Sequence, residues 1–300
     1  RPMSEPTFGW ITQLAAKDGA RPERLLKDNL AYIEALRPPF TTLWFEDHLQ
    51  WDGTAVLESW STLATMAARF PGLRCGTLVL CQSYRNPALL AKMTASLQVL
   101  SGGRLIAGIG AGWKQDEYLA YGYPFPPDGE RLEQLEETAI ILRKMWSESP
   151  VTYKGSHYQI EAAYCEPKPE PAPPLLIGGG GERVTLRIVA QHADWMNLLF
   201  ASPASFKHKD GVLRRHCEEL GRDPDTITRS LYGYVLVTPE GRKPAPRSGD
   251  KYIIHGKPER VAEQISAFLD LGVEHFMLRF LDFPSTDGLA LFQEEVVSML

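Results

Sequence analysis

The sequence has no long apolar run, and nothing in it approaches the roughly 18 consecutive residues of a membrane span. It has no surplus of positive charge either. Its 32 Lys and Arg stand against 37 Asp and Glu, a net charge of −5 at pH 7, which argues against a nucleic-acid surface. The four cysteines, Cys75, Cys81, Cys165 and Cys217, form no C-x-x-C pair and no zinc-ligand spacing. Cys75 and Cys81 lie an even number of residues apart in an extended segment, so they are expected on one face as buried free thiols. The N-terminal segment has no apolar signal core, and a reducing cytoplasm is the expected compartment. H-E-x-x-H and G-x-S-x-G are missing, and the seven histidines suggest no metal cluster, so no metal is expected.

What is present is ordinary in bulk and patterned in detail. Hydrophobic residues make up 44% and charged residues 23%, the values of a soluble globular chain. Three hundred residues suit two average domains or one large barrel, and a chain of this length buries about three quarters of its unfolded surface without disulfides. Short β-branched or apolar runs alternate with one-face helical stripes from Phe8 to Leu300. Asn86-Pro87 supplies an N-cap and a first-turn proline for a helix that Ser101-Gly102-Gly103 stops. Leu132, Leu135, Ala139, Leu142 and Trp146 stripe another helix toward the core. A loop is expected from Trp113 to Pro127, and a small hairpin around Lys154-Gly155 within a Pro-rich excursion at about 150–174. About eight strand–helix units joined by right-handed crossovers predict an α/β fold of the (β/α)8 TIM-barrel type over 1–300, as one domain, with insertions after strand 4 and in the 150–174 region. A doubly wound open sheet is the alternative. In a barrel, chemistry sits on the loops after the strand C-termini.

Three such strand ends stand out. Glu46-Asp47-His48 offers two carboxylates and an imidazole, a sensible acid/base unit near neutral pH. Successive residues of an extended segment point to opposite sides, so the three cannot all face one substrate. Gly108-Ile109-Gly110-Ala111-Gly112-Trp113 fails as a dinucleotide fingerprint, because Trp113 stands at the third glycine position. Its glycines suit a flat ring laid against the backbone, or simply a tight turn. Ile177-Gly178-Gly179-Gly180-Gly181 precedes a helix expected at Glu182; converging backbone N–H groups there favour a phosphate, and no P-loop Lys-Ser/Thr follows. Arg242, Lys243, Arg247 and Lys251 lie in a polar loop over 239–252 and are read as solvated.

In order and spacing, these segments, with Asn86-Pro87-x-x-x-Ala91-Lys92, Leu100 to Arg104, Glu117-Tyr118, Pro167-Lys168-Pro169 and Ala193 to Asn197, resemble the luciferase-like flavin and deazaflavin oxidoreductases over nearly the whole chain. The members using coenzyme F420 are the most similar, and the resemblance implies a luciferase-like barrel with that cofactor in the C-terminal mouth, FMN being the alternative. It implies that Asp47 contacts the deazaflavin and that His48 is the catalytic proton donor or acceptor. It places a non-prolyl cis bond at Leu78–Val79 behind the ring, with Gly110, Ala111 and Gly112 against the ring, and Ile177 with Gly178 to Gly181 at the phosphate. Trp10, Trp51 and Trp113 would wall a pocket for a small, partly apolar substrate. Some deazaflavin dehydrogenases carry a glutamate where Trp113 stands, which weighs against sugar-phosphate oxidation here. By the same analogy the chain pairs as a homodimer, and an FMN-dependent monooxygenase would need a reductase partner. No nucleic acid or membrane partner is implied. A non-catalytic flavin-binding relative and a metal-free lyase or isomerase are the other readings of the same segments.

Overall fold

The computed structural model describes residues 5–16, 21–245 and 251–300. Eight strands close on themselves: β1 (Thr7–Ile11), β2 (Phe40–Phe45), β3 (Arg74–Thr77), β5 (Leu105–Gly110), β8 (Leu175–Gly178), β9 (Trp195–Leu199), β10 (Thr228–Val237) and β12 (His275–Phe280), which pairs back to β1. Every pairing around the ring is parallel, and helices α1 (Pro22–Ala35), α2 (Ser59–Arg69), α3 (Pro87–Leu100), α5 (Asp128–Ser147), α6 (Thr185–His192), α7 (Pro203–Glu219) and α8 (Pro258–Leu269) make the crossovers. The fold is a (β/α)8 barrel. The Asn86 side chain accepts from the Ala88 and Leu89 amides, so the α3 cap forms as its sequence predicts.

The excursion is a two-stranded hairpin, β6 (Val151–Lys154) with β7 (Gln159–Ala163), tied to the scaffold by Glu137 of α5. That carboxylate accepts the turn amides of Ser156, His157 and Tyr158. Tyr158 in turn donates to the Gln82 side chain beside the barrel mouth.

Three local expectations need correction. The stretch Leu73 to Cys81 is not one strand: β3 stops at Thr77 and β4 (Leu80–Cys81) resumes alongside β5 after a cis peptide at Leu78–Val79, where the resemblance placed it. Even spacing therefore does not put the two thiols together; Cys75 packs in the outer core and Cys81 with Tyr84 and Tyr118 at the mouth. All four cysteines are free and buried. The loop from Trp113 to Pro127 contains a helix, α4 (Gln115–Ala120), and the polar 239–252 segment is followed by an added strand, β11 (Ile253–Gly256), on β10. Arg247 lies outside the described residues; Arg242 and Lys243 are exposed.

Alternation splits the apolar residues between two environments. Ile11, Trp44, Leu78, Ile106, Leu176, Tyr232 and Met277 fill the barrel, and a larger cluster packs strands against helices. Trp44 fits inside because Gly9 and Gly76 leave room for it; a Cβ at either position would overlap its ring. Its indole Nε1 donates to His275 Nε2 at 3.0 Å, which leaves the His275 Nδ1–H to donate to Thr7 Oγ1 at 2.7 Å.

Burial, reinforced by Arg74, pushes the His275 pKa down from 6.5 to about 3. The unfolded chain takes up this proton as pH falls through 6.5 and the folded chain does not, so stability drops from 6.5 downward toward the folded value. By pH 5, before most carboxylates titrate, the loss is about 2 kcal/mol. Chemical denaturation across this window should show that loss in the wild type and little of it in His275→Gln, whose amide both donates and accepts but gains no proton.

Candidate active site

The residues leaving β2 take three different directions. Glu46 points to the barrel axis, where Tyr232 donates to it at 3.0 Å and Arg279 pairs with it. Asp47 turns sideways into the protein, and His48 returns to the mouth. The alternation expected from an extended segment thus separates three adjacent polar groups.

Asp47 is held by protein partners. Its side chain is wholly buried; Oδ2 accepts from the Cys81 amide at 2.9 Å and from Arg85 at 2.7 Å, and Oδ1 accepts from Arg85 at 3.1 Å. The residue fastens the end of β2 to the start of β4, and Arg85 also reaches Glu58, the N-cap of α2.

His48 is held through Nδ1 by Glu117 Oε1 at 2.9 Å. Glu117, buried on α4, also accepts from the Tyr84 hydroxyl at 3.0 Å, and Lys114 stands 3.8 Å away. Burial, with Cys81 and Glu117 adding to it, pushes the Tyr84 phenol well above its ordinary range, so it stays a donor. With Nδ1–H given to Glu117, Nε2 is the nitrogen that can exchange a proton, and the side chain is 22% exposed.

The aromatic wall is partly as expected. The Trp51 and Trp113 rings stand edge-on to His48, with centroids 5.0 Å and 5.9 Å from it, and they are 41% and 67% exposed. Lys114 lies over the Trp51 ring at 5.1 Å. Trp10 does not join them. It is fully buried outside the barrel, stacked on Tyr32 of α1 and near Phe283, because its phase on β1 is outward. The Ile177 side chain faces the helix layer from β8 and is fully buried there.

The glycines have definite neighbours. Val79, at the break after β3, packs against Gly110 and Gly178; a Cβ on these would lie 2.6 Å and 3.0 Å from its methyls. Leu78 points into the barrel. Val79 thus forms a small apolar step in the mouth, framed by backbone. Gly112, at φ +78°, lies against Tyr118 and Cys81, and the Ala111 carbonyl accepts from Tyr118 at 3.1 Å. Gly179 to Gly181 form a loop before α6, which starts at Thr185, three residues after the position expected. The site Gly180 would fill with a Cβ lies 3.9 Å from Lys209 Cε, and Lys209 is anchored on Glu182.

Glu117, Tyr84, Arg85, Arg279 and Tyr232 were not assigned roles from sequence. Arg279 had a legible signal, a cation in the otherwise apolar His275–Phe280 run. Glu117 had a signal only as part of the Glu117-Tyr118 segment of the resemblance, and Arg85 had none, because their partners are 69 and 38 residues away.

A parallel barrel with a stepped third strand and an acid-held histidine at its C-terminal mouth has the architecture of a barrel oxidoreductase. The luciferase-like monooxygenase family pattern matches residues 8–245, and the chain belongs to that family. It is 35% identical to an F420-dependent glucose-6-phosphate dehydrogenase of Kineococcus radiotolerans, across 89% of this chain and 91% of that one. In fold it matches an F420-dependent secondary alcohol dehydrogenase in complex with an F420–acetone adduct, at TM-score 0.83 and 19% identity over 99% of this chain and all of that one. It also matches the oxygenating constituent of 3,6-diketocamphane monooxygenase from Pseudomonas putida in complex with FMN, at TM-score 0.80 and 16% identity over 98% of each. The chain is an oxidoreductase of the luciferase-like class. Among the described residues no group of three or more His, Cys, Asp or Glu is placed to hold a metal ion, and no helix is long and apolar enough to cross a membrane.

The clamp is open to a direct test. Arg85→Met leaves the Asp47 charge buried without its partner and should lower unfolding free energy in urea by about 3–5 kcal/mol. Asp47→Asn combined with Arg85→Met should recover part of that loss, since no unpaired charge remains.

Proposed function

We propose that the chain is a coenzyme F420-dependent oxidoreductase that moves a hydride between the deazaflavin and a small, partly apolar organic substrate. The observation that carries this reading is the His48–Glu117 pair at the mouth, beside the Val79 step. The residues present fit a flat, phosphorylated group: Val79 framed by Gly110 and Gly178 offers an apolar support, and the loop Gly179–Gly181 with Lys209 offers backbone N–H groups and a cation. When bound, the deazaflavin supplies a ring carbon that accepts or delivers hydride.

The chain supplies the rest. Glu117 fixes the His48 ring and accepts its Nδ1–H, so Nε2 takes the proton of a substrate hydroxyl or returns one to a carbonyl oxygen. The buried carboxylate stabilises the imidazolium that forms when Nε2 takes the proton. Trp51 and Trp113 supply apolar walls beside the His48 ring. Trp113 weighs against sugar-phosphate oxidation, since the resemblance puts an acid at that position in some deazaflavin dehydrogenases.

Fluorescence titration of the purified chain with F420 and, separately, with FMN decides between the deazaflavin and flavin readings. Saturable F420 binding with weak FMN binding supports the proposal, and tight FMN binding with none of F420 overturns it. His48→Ala should lower the rate of F420 reduction by a secondary alcohol such as cyclohexanol by about 10²–10⁴-fold while F420 affinity stays within about twofold. Unchanged turnover would remove His48 from the mechanism.

A further inference from the structure

The polar cluster on the barrel axis is not used by the chemistry above. β12 turns His275, Met277 and Arg279 inward, and Arg279 pairs with Glu46 across the top of the barrel. Each Glu46 oxygen accepts one hydrogen bond, Oε1 from the Tyr232 hydroxyl and Oε2 from Arg279 Nη2. The Arg279 guanidinium carries five N–H donors, so donors remain beyond that pair. Its Nε, buried without a partner, shows that the protein does not satisfy the head fully. The Arg279 and Glu46 side chains are 14% and 23% exposed, so the cluster is reachable from the mouth. Glu46 precedes His48 by two residues on the same side, which sets the cluster roughly 7 Å deeper than His48.

The charge balance narrows the ligand. Arg279 and Glu46 cancel, so the cluster has directed donors to give and no net positive charge. An anion approaching Arg279 meets the Glu46 carboxylate as well, and like charges at such range repel. A neutral oxygen with free lone pairs meets only the donors. Beyond the cluster the mouth is apolar at Trp51 and Trp113.

We infer that Arg279, paired with Glu46 that Tyr232 in turn holds, forms a substrate-recognition subsite for a neutral carbonyl or hydroxyl oxygen other than the one that exchanges a proton with His48. The substrate class is then an uncharged, oxygen-bearing molecule with an apolar body; carboxylates and phosphate esters are disfavoured. This rests on the oxidoreductase reading above and names the substrate side of the same mouth.

The test uses cyclohexanone and cyclohexanecarboxylate, which share a ring and differ in the charge of the oxygen group, with glucose 6-phosphate as a third probe. Affinities are read by saturation-transfer NMR on the cofactor-free chain, and F420 binding is read separately by fluorescence. The wild type should bind cyclohexanone more tightly than either anion. Glu46→Gln should reverse the order of the ketone and the carboxylate, because it leaves the Arg279 charge uncompensated. Arg279→Met should weaken cyclohexanone by about tenfold. Tyr232→Phe, which removes one hydroxyl and keeps the ring, should weaken it less, and this milder variant preserves the test if Arg279→Met fails to fold. F420 affinity should stay level in Glu46→Gln and Tyr232→Phe. An unchanged probe order in Glu46→Gln, a wild-type preference for an anion, or no wild-type binding of cyclohexanone overturns the subsite. Loss of F420 affinity in step with the ketone also overturns it, by assigning the cluster to the cofactor. Failure of the wild type to bind F420 counts against the F420 reading alone, since the probe series does not depend on the cofactor.

Discussion

An extended chain must send successive side chains to opposite sides, and at the end of β2 that constraint organises the whole mouth. Three consecutive polar residues are separated into an axial group, a lateral clamp and a proton carrier. Had Asp47 faced the mouth, three titratable groups would crowd one site and β4 would lose its anchor. Because it faces sideways, its carboxylate binds the Cys81 amide and Arg85 together. That bond fixes where the chain re-enters the sheet after the break at Leu78–Val79, and hence where Val79 stands between Gly110 and Gly178. The clamp is structural, and its consequence is the shape of the site.

A second set of contacts carries the same logic outward. Tyr84 and Glu117 belong to different segments, and both converge on His48 or its partner. Tyr118, next to Glu117, bonds to Cys81 and to the Ala111 carbonyl, so α4 is fastened to β4 and to the end of β5 at once. The hairpin excursion joins through Tyr158 and Gln82. Elements distant in sequence are therefore cross-linked around one imidazole, which keeps its ring in one orientation.

Much of the fold was legible because alternation of short apolar runs with one-face helical stripes is a local signal that survives in a single sequence. The cap at Asn86, the hairpin at Lys154-Gly155 and the barrel closure all follow from local patterns. The errors share a cause, which is phase. Trp10 was assigned by residue type and position near a strand end, yet it lies one residue off the inward phase. Cys75 and Cys81 were phased across a strand that is broken. α4 escaped notice since six residues are too few to show a stripe within an aromatic loop. The partners of Asp47 and His48 were hidden for another reason: charge pairing across 38 and 69 residues leaves no trace in local pattern.

The central claim is that Glu117 takes the Nδ1–H of His48 and so leaves Nε2 as the nitrogen that exchanges protons. Nitrogen-15 NMR of histidine-labelled protein, with the His48 signals assigned by their loss in His48→Gln, reads the tautomer directly. The account predicts that neutral His48 carries its proton on Nδ1 in the wild type, and that Glu117→Gln perturbs the His48 signals more than those of His275. A neutral His48 protonated on Nε2, or signals unmoved by Glu117→Gln, would contradict it.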